Sequence, residues 1–277
     1  MRHGESRWDG DDGMQAYDRW LVWHHASRLL RGNPTGHGER ELVDWGDQAL
    51  LEASLAVVAP VARPMVDHFY EQLFLHFPHY RRYFPAQMDG QSDRLLAALL
   101  ALVNGFEDKE ALIRTLKQLG RDHRKFGIRA VHFTAVGKTL LTTLARFSGS
   151  AWTPQIEQAW LCRFQAAATT MIVAAEADTD QPPYWYATVV HHRPTAPEKA
   201  VLKLRPHHPY EYAFGQHATI ESPLLPRVWR PFPLIAEPRL DGLLEFEIVA
   251  LGDGGLGDIL MDKTVVGDTL RLGAPIG

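Results

Sequence analysis

The chain has one cysteine, Cys162, in 277 residues. An internal disulfide framework is thereby excluded, as is a structural zinc site built on cysteines. There is no excess of either charge. Lys+Arg 29 against Asp+Glu 33 give a formal net charge of −4 with histidine neutral, which gives no sign of a nucleic-acid or anionic-membrane partner. No apolar run reads as the roughly 20 residues of a membrane span. The start, MRHGESRWDGDDG, lacks the apolar centre of a signal peptide, so the expected location is the cytoplasm.

What remains is 45% hydrophobic and 22% charged residues, the composition of one large globular domain or two ordinary ones. Residues 1–45 are polar and rich in Gly, Arg and His. Trp20, Leu21, Trp23, Leu29 and Leu30 could share one amphipathic face in a loosely docked, partly disordered extension. Residues 46–180 read as all-α. Val66, Phe69, Tyr70, Leu73, Phe74 and Phe77 fall at i, i+3, i+4, i+7, i+8 and i+11, between Pro64 and Pro78. Leu95–Val103, the stripe Leu112, Leu116, Leu119, His123 and Phe126, and Val131–Phe147 predict three more helices. Thr153-Pro154 caps a last one carrying Ile156, Trp160, Phe164 and Met171. The segment DTDQPP, 178–183, is a linker. Beyond it, residues 184–277 show strand alternation, with Leu202 and Leu204 against Lys203 and Arg205, and Leu244, Phe246 and Ile248 against Glu245 and Glu247. The predicted fold is an all-α domain followed by a small antiparallel β-barrel.

His123 stands on the apolar stripe of its helix, where an imidazole needs a partner: a metal, or a carbonyl oxygen. Taken alone it reads as a core histidine. Its neighbours change that reading. Tyr70 lies on the inner face of its helix, the segment 79–85 is dense in aromatics, and Gln91 precedes Leu95 by one helical turn. A hydroxyl, an amide and an aliphatic side chain facing a histidine are what a haem-bound gas ligand needs.

The stretches HFYEQLFLHFPHYRRYFPAQM, LGRDHRKFGI, VGKTLLTTL and WTPQIEQAW resemble the globin domain of bacterial flavohaemoglobins. YEYAFGQHATIE, WRPFPLIAEPR, GDGG and VGDTLRLGAPIG are similar to the flavin-binding barrel of the same proteins. The resemblance is closest to an actinobacterial-looking branch. It implies haem b with His123 as the proximal iron ligand, Phe84 packed on the haem, Tyr70 and Gln91 as distal donors to bound dioxygen, and Leu95 narrowing the pocket. It implies FAD held on the barrel by Arg230, Phe232, Gly254 and Gly255. The implied activity is oxidation of nitric oxide to nitrate with dioxygen.

The chain departs from the family at several positions. Phe133 stands where a tyrosine supports the proximal histidine, and Ala177, next to Glu176, stands in the supporting glutamate position. Pro233 replaces a flavin-bonding serine, and Asp258 replaces a serine beside the diphosphate. No Gly-x-Gly-x-x-G fingerprint on a strand–helix unit is read anywhere in the chain, so the family's nicotinamide-binding domain is not expected in it. The expectation is either a fragment or a chain whose electrons come from flavin or from a separate NAD(P)H-dependent reductase. The competing expectation is a non-enzymatic globin that binds, stores or senses dioxygen or nitric oxide.

Overall fold

The computed structural model describes residues 44–178 and 180–276; the expected helix over Trp20–Leu30 lies outside them. Six helices come first: α1 (Gln48–Val58), α2 (Ala62–His76), α3 (Asp89–Asn104), α4 (Lys109–His123), α5 (Ala130–Ser148) and α6 (Pro154–Ala177). There follow β1 (Trp185–Ala196), β2 (Lys199–Pro206), β3 (His217–Glu221), β4 (Arg230–Pro233), β5 (Leu244–Val249), a short α7 (Leu256–Asp262) and β6 (Thr269–Ile276). The order is that of the predicted fold class, helical and then antiparallel β.

Local chemistry sets the helix ends. The Asp47 carboxylate accepts from Leu50 N at 3.1 Å, Asp108 from Ala111 N at 2.8 Å, and the Thr153 hydroxyl from Ile156 N at 3.2 Å, each satisfying an otherwise orphaned donor. Past α4, Gly127 takes φ +74, the left-handed conformation that ends the turn after His123. Among the described residues, the helical stretch Gln48–His76 is by length and composition apolar enough to cross a membrane, with 28% of its apolar window buried. The sequence hides this because Glu52, Pro60 and Arg63 interrupt its runs of alanine and valine.

Tertiary contacts divide the described residues into two compact units. The first holds 44–78, 98–106 and 130–168. Leu51, Met65, Leu73 and Leu144 are fully buried in it, and the Trp160 indole donates to Ser54 Oγ at 3.0 Å. Gly137 lies where a Cβ would strike the Phe164 ring.

The second unit holds 79–97, 107–129 and the rest of the chain from 169. Its sheet runs β4-β3-β6-β1-β2-β5, each neighbouring pair antiparallel. The two outer strands approach at a single bridge, Leu234↔Phe246, and Ile235 N donates to Glu245 O at 2.9 Å, so the sheet curls into a barrel. The β2–β5 register pairs Ala200 with Ile248, Leu202 with Phe246 and Leu204 with Leu244, all inside. On the wet face Lys203 meets Glu245 at 2.8 Å and Lys199 meets Glu247 at 3.3 Å. Gly120 on α4 packs so closely on the Met171 carbonyl of α6 that no side chain fits there.

Candidate functional site

His123 ends α4 half-buried. Its Nδ1 lies 2.7 Å from the Leu119 carbonyl oxygen. A carbonyl only accepts, so Nδ1 carries the proton and Nε2 presents its lone pair. Burial pushes the histidine pKa down, against the Leu119 bond and Asp122, which raise it. The imidazole is thus neutral, with a fixed tautomer, as a metal ligand must be.

A pH dependence follows. The unfolded chain takes up a proton on this histidine as pH falls below about 6.5, while the fold resists it. The stability of the haem-free chain therefore declines as pH falls through this range and on to the lowered folded-state value. In urea titrations from pH 7.5 to 5, His123→Gln is expected to show a shallower decline than the parent.

Tyr70 belongs to the first unit, and Phe84, Gln91, Leu95 and His123 to the second. Tyr70 is buried on α2, edge-on to Phe69 at 5.0 Å and stacked on Phe74 at 5.9 Å. Phe84 closes a short turn in which its N–H donates to Arg81 O at 3.2 Å. The Arg81 guanidinium clamps that turn by donating to Phe84 O at 3.1 Å and Ala86 O at 2.8 Å. Gln91 and Leu95 are half-buried, one turn apart on α3. Phe133 and Ala177 lie on α5 and at the end of α6. Asp178, just past α6, pairs with Arg124 at 2.9 Å.

The barrel positions fall differently. Arg230 is exposed on β4. Phe232 pairs opposite Ala218 and turns inward, into the barrel's apolar cluster. Pro233 offers no donor. The Gly-x-Gly-x-x-G spacing, expected to be absent, is in fact present. Gly252, Gly254 and Gly257 follow β5 and open α7, although in an antiparallel sheet rather than a parallel dinucleotide-binding unit. Gly254 takes φ +72. The Asp258 carboxylate fills this loop, accepting from Leu251 N at 2.9 Å, Gly252 N at 3.0 Å and Gly254 N at 2.6 Å. Asp253 takes Gly255 N at 2.8 Å. These donors, Gly252 first, hold the Asp258 carboxyl below the usual carboxylate range. The loop carries its own anion.

Sequence reasoning passed over Gly120, Lys125 and Trp229. Gly120 carried a signal, as a glycine inside a helical stripe. Lys125 carried none.

Residues 67–171 match the globin family. The chain is 31% identical over 128 residues to a flavohemoprotein of Chromobacterium violaceum, covering 45% of this chain and 32% of that one. It is 26% identical over 254 residues to a flavohemoprotein of Rhizobium meliloti, covering 82% and 62%. Its fold resembles the crystal structure of a flavohemoglobin from Malassezia yamatoensis with bound FAD and heme, at TM-score 0.64 and 17% identity, over 83% of this chain and 63% of that one. The chain thus spans about a third to three-fifths of the length of these relatives.

Proposed function

Starting from a chain that belongs with the flavohaemoglobins, a globin segment followed by a barrel of the FAD-binding type, we propose that it binds dioxygen and oxidises nitric oxide to nitrate. The net change is one nitric oxide, one dioxygen and one electron giving one nitrate. The observation that carries this reading is the fixed neutral tautomer of His123, its Nδ1 proton held by Leu119 O at 2.7 Å.

Haem b and FAD are the two cofactors of this fold, and the residues meet them unequally. The haem fits: His123 offers Nε2 as ligand and Phe84 a ring to pack on the macrocycle. Bound haem supplies an iron at which a diatomic gas is taken up and one-electron chemistry is done. By the resemblance, the Tyr70 hydroxyl and the Gln91 amide N–H would be the donors to a polar gas ligand, and Leu95 would narrow its pocket. Without the family's tyrosine and glutamate at the matching positions, the His123 Nδ1 proton goes to the neutral Leu119 carbonyl, a weaker support for electron donation to a metal than a carboxylate.

The diphosphate of FAD fits less well. Arg230 is available, but the loop N–H groups are engaged by Asp258. Asp258→Ser releases these donors and removes a like charge. About tenfold tighter FAD binding is expected, the equivalent of ~1.4 kcal/mol, read by flavin fluorescence in an equilibrium titration. That engagement favours a second reading, a non-enzymatic globin that binds, stores or senses dioxygen or nitric oxide beside a degenerate reductase barrel.

The deciding test is a spectrum of the chain loaded with haem, before and after dithionite and carbon monoxide, followed by nitric oxide consumption in air with an added NAD(P)H-dependent reductase. Catalytic formation of nitrate supports the enzyme. A carbon monoxide-responsive Soret band without turnover supports the second reading. No Soret band overturns both.

A further inference from the structure

The turn after His123 is pinned to the barrel by a buried ammonium group. Lys125 has 6% of its side chain exposed. Its Nζ donates to Thr219 Oγ1 on β3 at 3.1 Å and stands 4.9 Å from the centre of the Trp229 ring and 5.6 Å from that of Phe126. Phe126 meets Trp229 edge-on at 6.2 Å, and meets the His123 ring at 6.2 Å with the planes at 73°. Gly273 on β6 makes the space, since a Cβ there would collide with Thr219 Oγ1 and come within 3.5 Å of Lys125 Nζ. Arg124 secures the same turn from the other side, bonding Asp178 at 2.9 Å and Gln181 O at 2.6 Å.

Burying an ammonium beside one hydroxyl, two rings and the Asp122 carboxylate 3.9 Å away is costly unless the geometry is held firmly. Here it is held, at a position two residues past His123, where a solvent-facing lysine would serve a surface turn as well. The His123 ring is met by the Leu119 carbonyl, on its own helix, and by the Phe126 edge. The Leu119 bond fixes the tautomer, and the Phe126 edge bears on rotation of the ring. Phe126 in turn is clamped between Lys125 and Trp229.

We propose that Lys125 is a positioning residue for His123: anchored on Thr219 and Trp229 of the barrel, it holds Phe126 against the imidazole and so sets the orientation of that ring toward the haem. This rests on the haem reading above. The barrel then acts on the proximal ligand whether or not it holds a flavin.

The test uses the full chain loaded with haem and reads the iron–histidine stretching band of the ferrous form by resonance Raman, with haem stoichiometry and melting temperature alongside. Lys125→Met and Trp229→Phe are each expected to bind one equivalent of haem and to shift or broaden that band, and Thr219→Val to do so to a smaller extent. Should Lys125→Met not fold, Trp229→Phe, which keeps a ring in place, decides alone. A band unchanged in the folded variants, with only the melting temperature lowered, overturns the proposal and leaves Lys125 a purely structural residue. A parent chain that binds no haem overturns the haem reading instead, and the proposal with it.

Discussion

Replacing His123 by alanine is expected to abolish haem retention, with the Soret band lost from the purified chain and partly restored by added imidazole. Among proximal ligands, even the groups that merely orient the imidazole change metal affinity by about 10–100-fold, so loss of the ligating nitrogen itself exceeds that range. The fold should survive. His123 is the last residue of α4, and its Nδ1 bonds within its own helix, to Leu119 O. Tyr70→Phe is the control. It removes a donor but no ligand, so haem stays at one equivalent. The release of bound dioxygen is expected to quicken by about tenfold or more, the loss of one hydrogen bond to a charged or polarised acceptor, ~1.5–3 kcal/mol. A Soret band surviving in His123→Ala would assign the ligand elsewhere and return His123 to the core.

Much of this was legible as pattern. The stripe from Val66 to Phe74 predicts α2 because its large apolar residues leave one arc only, and Thr153-Pro154 marks the start of α6 because a hydroxyl cap and a ring-fixed φ suit no other position so well. α1 was less distinct: alanine populates both of its faces, so its period is weak. Phe232 shows what periodicity cannot settle. Strand alternation says that Arg230 and Phe232 share a face, but only the register against β3, which sets Phe232 opposite fully buried Ala218, says which face it is. Asp258 shows a different limit. Its charge predicts repulsion of a diphosphate, but three backbone N–H groups converging on one carboxylate are a property of the loop's path. The partners of Lys125 are more distant still. Thr219 and Trp229 lie about a hundred residues along the chain, and nothing local marks a lysine for burial.

The largest expected loss of stability falls on another residue that pattern would place outside. Arg163 on α6 is 0% exposed. Its Nε donates to Trp45 O at 2.7 Å, Nη1 to Leu102 O at 2.6 Å and Nη2 to Gln48 Oε1 at 2.8 Å, so it joins the entry to α1, α1 itself and the end of α3 within the first unit. Arg163→Met keeps much of the volume and strands these acceptors. Each buried acceptor left unpaired costs about 1–3 kcal/mol, while removing a buried charge returns part of its desolvation cost. The three acceptors outweigh that return, since three short charge-assisted bonds already compensate the guanidinium. A net loss of about 3 kcal/mol is expected, lowering the melting temperature by roughly 6–12 °C at the ~2–4 °C per kcal/mol typical of domains of 150–250 residues. Arg163→Lys, with one donor centre instead of a planar fork, should recover only part of it. A melting temperature unchanged or raised in Arg163→Met would mean that desolvation dominates. The guanidinium would then specify how these three segments meet without adding to the stability of their meeting.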